Sequence, residues 1–312
     1  MKRKLTLLSL LLIGLATSCV VGNEPVSSSD FGDSGSGLAS SGVESGLSSS
    51  LLESSESDAS SNVSTSGGGS SSYWAGLDMS KIGNAFRGDL QALIKTYKTK
   101  TATYSQCLSI GASAASYPKG SSSFVPFYHA SPDVTEGVSG NGVLTVSDQK
   151  LCNREHTWPN SRGSGKEGGP GNDPFITRPT LYKDNSSRGN KFYGYASTSE
   201  WDPASYGYEG ARGEAARVIL YAATAYYGTC GSGGSSKGSN PLELSNNPDE
   251  STLLHTMGTL KTLLQWNSTY APSAIEIQVN DYLCEKGYGR NPFVDEPSYA
   301  NQIWDESGVR EA

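Results

Sequence analysis

The sequence predicts an α+β domain, and three observations carry that expectation. Apolar residues recur at helical spacing in four segments, and short apolar runs between the first two of them read as strands. The aromatic residues are gathered into one region: 5 Trp, 7 Phe and 17 Tyr, nearly all beyond residue 72, are enough for one sizeable core. The chain has 312 residues and a formal net charge of -7. It has no glycine period, no sustained heptad and no second long apolar run, which excludes collagenous, coiled-coil and multi-pass membrane classes.

The order of segments begins with an export address. Lys2, Arg3 and Lys4 precede an apolar run from Leu5 to Ala16 that ends at Ala16-Thr17-Ser18-Cys19. This is a signal-peptide pattern, too short for a permanent transmembrane helix. The small residues before Cys19 resemble a lipobox, in which the cysteine is lipidated; ordinary secretion, with Cys19 a spectator, is the alternative. Both place the chain outside the cytosol, at a bacterial surface or secreted. Residues 20–72 form a Ser/Gly-rich segment, with 21 Ser and 8 Gly in residues 26–72. Such a composition does not bury enough apolar surface to offset its ordering entropy. It is expected to act as a tether with a mean reach of about 40 Å.

The folded part is then residues 73–312, in which 21 basic and 24 acidic residues leave a net charge near -3. Helices are expected at Asp78 to Tyr97, Glu214 to Tyr227, Ser251 to Gln265 and Ala274 to Glu285, with strands near Ser123 to His129 and Gly142 to Ser147. Residues 100–213 are otherwise rich in Gly, Ser, Asn, Pro and Tyr. Seven of the basic residues there lie within about 40 residues of one another: Arg154, Arg162, Lys166, Arg178, Lys183, Arg188 and Lys191. Charge alone reads them as a solvated face. The glycine-rich stretch from Gly163 to Gly171 matches neither a Walker loop nor a dinucleotide fingerprint and is read as a flexible insertion.

Only three histidines are present. His129 and His255 read as structural or surface residues. His156 differs, because Asn153-Arg154-Glu155 precedes it and Thr157-Trp158-Pro159-Asn160-Ser161 follows. An imidazole can take a proton from water, a Glu or Asn oxygen suits a hard Mg²⁺ ion, and an Arg can hold phosphate. Four cysteines follow Cys19, none in a C-x-x-C arrangement, so neither a zinc knuckle nor a redox motif is supported.

The block from Asn153 to Ser161 resembles the signature of the bacterial endonuclease I family, extracytoplasmic nucleases with a ββα-metal fold. Three further blocks resemble the family in the same order: Arg178-Pro179-Thr180 with Asn185-Ser186-Ser187-Arg188-Gly189-Asn190, then Arg212-Gly213-Glu214-Ala215-Ala216-Arg217, then Gly289 to Asp295 with Ile303-Trp304. The resemblance implies a ββα-metal core embedded in a mainly helical domain with long loops. It implies His156 as the base that activates water, Asn185 as a side-chain oxygen ligand to one Mg²⁺, and Glu155 as a second ligand or an orienter of metal-bound water. Mn²⁺ or Ca²⁺ are the expected substitutes for Mg²⁺. Arg178 and Arg188 are the candidate phosphate contacts, with a structural ion pair as the alternative for each. Arg290, Asn291, Phe293 and Trp304 are expected to hold the C-terminal segment against the core. The chain departs from the family where Phe175 and Ile176 replace two frequent adjacent histidines, Leu181 a frequent Asp and Val279 a frequent Arg.

The expected activity is hydrolysis of DNA, with RNA as a further substrate, to oligonucleotides bearing 5′ phosphates. No helix-turn-helix, zinc finger or basic helix is present to read bases, so sequence preference is expected to be small. The expected particle is a monomer held to a membrane through Cys19. A nuclease-like lipoprotein that only binds nucleic acid or a host molecule, and a structural adhesin, are the competing readings.

Overall fold

The computed structural model describes residues 72–129, 144–145, 152–166, 168–228, 242–247 and 256–311. The expected signal segment with Cys19, the expected tether up to residue 71, and His255 lie outside the described residues.

Helix α1 (Gly83–Tyr97) buries Phe86, Leu90 and Ile94, the stripe expected from its periodicity. It starts later than Asp78, because Asp78 instead closes a turn by accepting from the amide and hydroxyl of Ser80. Helix α2 (Gln106–Ala114) has no counterpart in the sequence-based expectation. Strand β1 (Ser123–Phe124) pairs antiparallel with β2 (Leu144–Thr145). The expected strand up to His129 therefore ends early, and residues 127–129 form a turn.

Two longer strands follow. β3 (Cys152–His156) and β4 (Thr177–Leu181) pair antiparallel, with Cys152 opposite Leu181, Glu155 opposite Arg178 and His156 opposite Thr177. Helix α3 (Tyr182–Arg188) continues directly from β4. Strand alternation puts Cys152, Arg154 and His156 on one face, and Asn153 and Glu155 on the other. The first face is covered by α2, whose Gly111 lies so close that a Cβ there would stand 2.5 Å from Pro179 Cδ. Ala112, Phe124, Cys152 and Leu181 fill a small apolar cluster beside that contact.

Short parallel pairs follow: β5 (Phe192–Tyr193) with β6 (Glu200–Trp201), and β7 (Glu243–Leu244) with β8 (Thr256–Met257). Between them runs α4 (Gly210–Ala225), buried from Gly213 to Thr224 as a helix enclosed on all sides. Helix α5 (Leu260–Thr269) packs against α4. Of the helix expected from Ser251 to Gln265, residues 251–255 lie outside the described residues; in the rest the helix begins at Leu260, because Thr256 and Met257 pair with β7.

Helix α6 (Ala274–Glu285) is capped by Ser273, whose hydroxyl accepts from the Glu276 amide. Helices α7 (Pro292–Asp295) and α8 (Tyr299–Ile303) lead into the antiparallel pair β9 (Trp304–Asp305) and β10 (Gly308–Val309). Arg290 donates twice to Asp295, and Asn291 Nδ2 donates to the carbonyl of Arg217 on α4. Phe293 and Trp304 are buried. The C-terminal block thus fastens this segment to the core. Among the described residues no helix is long and apolar enough to cross a membrane.

Candidate active site

His156 ends β3, where the backbone leaves the sheet and Thr157 N donates to the carbonyl of Ile176. Its imidazole stacks on Tyr104, with ring centroids 5.2 Å apart and planes inclined by 14°. Nε2 is buried and has no hydrogen-bond partner among the described residues. Burial, together with the cations Arg188, Arg154 and Lys166, pushes its pKa down to about 4. The ring is therefore neutral near pH 7, the state a proton acceptor requires.

Asn185 sits half-buried on α3 and reaches back to β3, where Nδ2 donates to the carbonyl of Arg154 at 3.2 Å. That bond uses the amide nitrogen and leaves Oδ1 as the free oxygen of the side chain. The helix thus brings an amide oxygen up against the strand that carries His156.

Glu155 points to the opposite face and is buried. Its Oε1 accepts from Arg188 Nη1 at 2.8 Å and from Tyr128 Oη at 3.1 Å. Burial pushes its pKa up to about 7, with Arg188 opposing. The rest of the Arg188 fork is spent on carbonyls: Nε on Lys191, Nη1 also on His156, Nη2 on Thr157. Arg178 is likewise committed, 3.1 Å from Glu214 Oε1 on α4 and over the Phe127 ring. In this arrangement Arg178 and Arg188 are ion-pair residues, and the phosphate contacts expected of them are not offered to solvent. Glu155 is held as the counterpart of Arg188, and Glu214 as that of Arg178, so Glu155 is not in an open ligand position.

Phe175 and Ile176 are core residues, Phe175 packing on Tyr221 with centroids 4.8 Å apart. Both side chains are enclosed by the core, so imidazoles at these positions would be buried. The stretch from Gly163 to Gly171 is not a loose insertion in its described part. Ser164 and Pro170 are buried, and a Cβ on Gly171 would stand 2.2 Å from the carbonyl oxygen of Gly165. The glycines there serve close packing and left-handed turns, as at Gly163 with φ 104°.

Sequence reasoning missed Tyr104, Tyr128 and Tyr193. Tyr128 adopts φ 76°, uncommon for a non-glycine residue, and its hydroxyl bridges Glu155 and, at 2.6 Å, Tyr193. His129, read as structural, is buried with Nε2 2.7 Å from Asp184 Oδ2, tying its turn to α3. No local pattern announces these contacts, because each joins residues far apart in the chain.

The sequence model of the family described as Endonuclease I matches residues 82–298, which contain β3, β4, α3 and every residue just placed. The chain belongs to the endonuclease I family. Among curated proteins it is 31% identical over 166 residues to an extracellular ribonuclease of Bacillus amyloliquefaciens, covering 49% of this chain and 53% of that protein. It is equally similar to an extracellular ribonuclease of Bacillus subtilis (strain 168), at 31% over 166 residues, 49% of this chain and 54% of the relative. The chain spans about half the length of these relatives. Comparison with solved structures gives no significant match.

Membership in the endonuclease I family raises the question of a divalent cation. The donor set fits a sparsely held ion, not a protein cage: among the described residues there is no group of three or more His, Cys, Asp or Glu suited to a metal. Asn185 Oδ1 is a hard neutral oxygen of the kind Mg²⁺ accepts, and Mg²⁺ commonly keeps several of its waters. Glu155, neutralised by Arg188, adds no open carboxylate.

Proposed function

We propose that the chain is an exported, divalent-metal-dependent endonuclease that hydrolyses phosphodiester bonds with little sequence preference, leaving 5′ phosphates. The observation that carries this reading is His156 Nε2: a neutral imidazole nitrogen without a partner, in cationic surroundings that favour an anionic substrate. Family membership and the two relatives named extracellular ribonucleases support it.

In this reading the β3, β4 and α3 unit is a ββα-metal core. His156 Nε2 accepts a proton from the attacking water as the new O–P bond forms and the P–O3′ bond breaks. The bound divalent ion, Mg²⁺ with Mn²⁺ or Ca²⁺ as substitutes, would offset charge on the phosphate and the leaving oxygen. Asn185 would hold it through Oδ1. Glu155 and Arg188 fix the carbonyl of His156 and the start of the following loop, and so hold the base in place. DNA is the first substrate of this reading and RNA the second, the names of the relatives favouring RNA. The chain acts as a monomer, anchored through a lipid on Cys19 and held off the membrane by residues 20–72.

The test is incubation of the full chain with supercoiled plasmid and with RNA, in Mg²⁺ and in EDTA, beside His156→Ala. Cleavage that requires both the metal and His156 is expected. Folded protein that cleaves neither substrate with any divalent metal would replace this reading with that of a surface protein that binds without turnover.

A further inference from the structure

The commitment of Arg178 and Arg188 to carboxylates leaves the phosphate contacts of the site unassigned. Of the seven basic residues gathered in this part of the chain, Arg162 donates to the carbonyl of Asn190, and Lys183 lies over Tyr206. Two others converge on the base. The Arg154 guanidinium stands 4.3 Å from the centre of the Tyr104 ring, and the Lys166 ammonium 5.6 Å from it. Tyr104 is the same ring that stacks on His156. Arg154 and His156 alternate onto one face of β3, so Tyr104 lies across both side chains.

Neither cation meets a carboxylate among the described residues. Arg154 Nε is buried without a partner, while Lys166 is exposed. A guanidinium whose centre stands over an aromatic ring still has N–H donors for a bidentate partner such as a phosphate group. Lys166 supplies a compact charge at the rim. The Tyr104 ring holds the imidazole against rotation, and so fixes the direction of Nε2.

We propose that Arg154 and Lys166 bind the phosphate backbone of the substrate beside the base, and that Tyr104 is a positioning residue for His156. This rests on the nuclease reading and adds its substrate contacts.

The test separates the two. A short fluorescein-labelled single-stranded oligonucleotide is titrated in EDTA into the full chain and into Arg154→Gln, Lys166→Gln and the double variant, at several salt concentrations. Each substitution should weaken binding several-fold and lower the slope of log affinity against log salt by about 0.7. Unchanged affinity and slope in a folded double variant overturn the phosphate assignment, even if native protein cleaves. His156→Ala should bind as the native chain does and cleave nothing; if it cleaves, the proposed base is wrong whatever the binding data show.

For Tyr104, the imidazole proton resonances of His156, assigned by their loss in His156→Ala, should lose their ring-current shift in Tyr104→Leu. The same variant should lower kcat roughly tenfold or more, beyond any rise in KM from losing the ring under Arg154, and Tyr104→Phe should restore the shift and kcat. Resonances that do not move in Tyr104→Leu, or an equal change in KM alone, overturn the positioning role.

Discussion

Arg188, the last residue of α3, donates to Glu155 Oε1 at 2.8 Å and, with the same Nη1, to the carbonyl of His156 at 2.8 Å. One guanidinium therefore joins the helix to the strand and holds the backbone of the candidate base. Both side chains are 1% exposed, so neither charge has water as an alternative partner.

Removing one member of such a pair strands the other. Glu155→Ala or Arg188→Met is expected to destabilise the metal-free protein by about 3–5 kcal/mol. Arg188→Lys should fare little better, because an ammonium has no fork with which to reach Glu155 and three carbonyls together. Thermal unfolding in EDTA measures this without reference to activity. A Glu155→Ala protein as stable as the native chain, yet altered in its Mg²⁺ response, would place Glu155 at the metal instead.

The depressed pKa of His156 makes a pH prediction with a definite sign. The unfolded chain takes up this proton near pH 6.5, whereas the folded chain resists until about pH 4. Stability from this group is thus complete above about pH 6.5 and is lost as pH falls towards 4, a change of about 3 kcal/mol. Glu155 acts in the opposite sense between about pH 4.5 and 7, because its folded-state pKa is raised. The His156 contribution is therefore read as the difference between the native chain and His156→Ala in urea unfolding at several pH values. An imidazole resonance of metal-free protein that titrates near 6.5 would show that the ring is not desolvated.

Gly111 controls how closely α2 approaches the hairpin. Its Cα faces Pro179, and an added Cβ would stand 2.5 Å from Cδ and 3.1 Å from Cγ of a rigid ring. Gly111→Ala should cost about 1–3 kcal/mol through this clash, despite alanine's better helix propensity. A stabilised Gly111→Ala protein by denaturant titration would mean that α2 has room to move.

What the sequence disclosed follows from how each element is stabilised. Helix α1 shows a stripe of Phe86, Leu90 and Ile94, and α4 a nearly continuous apolar run, so periodicity found both. Helix α2 reads Gln-Cys-Leu-Ser-Ile-Gly-Ala-Ser-Ala and buries mainly small residues, Cys107, Gly111, Ala112 and Ala114, which make a weak hydrophobic stripe. Within the site, His156 and Asn185 stood out through local motifs. Tyr104 did not, because its role exists only once α2 and the loop before it are laid over β3. Arg178 and Arg188 were visible as cations, but their partners Glu214 and Glu155 are chosen by tertiary packing.

The proposed anchoring through Cys19 makes a prediction that is independent of the fold. If Cys19 carries the lipid, Cys19→Ser expressed in a bacterium should move the protein from the membrane fraction to the soluble extracytoplasmic fraction and abolish incorporation of labelled fatty acid. Anchoring requires buried acyl chains, and a seryl hydroxyl in place of the thiol cannot be lipidated by the same route. An unchanged distribution between fractions would favour ordinary secretion with Cys19 as a spectator.

Asn185 offers the most direct test of the metal. Its Nδ2 is held by the carbonyl of Arg154, so Oδ1 is the atom left for a cation. Asn185→Ala should shift the Mg²⁺ concentration for half-maximal cleavage upward by about tenfold or more, in line with the loss of a metal ligand. Asn185→Asp keeps an oxygen donor and adds charge, but loses the donor to Arg154. It should therefore bind Mn²⁺ measurably, by paramagnetic broadening, while positioning the ion less well and recovering only part of the rate. If Asn185→Ala gives the native Mg²⁺ titration at a lower plateau, Asn185 acts by fastening α3 to β3 and the ion is held elsewhere.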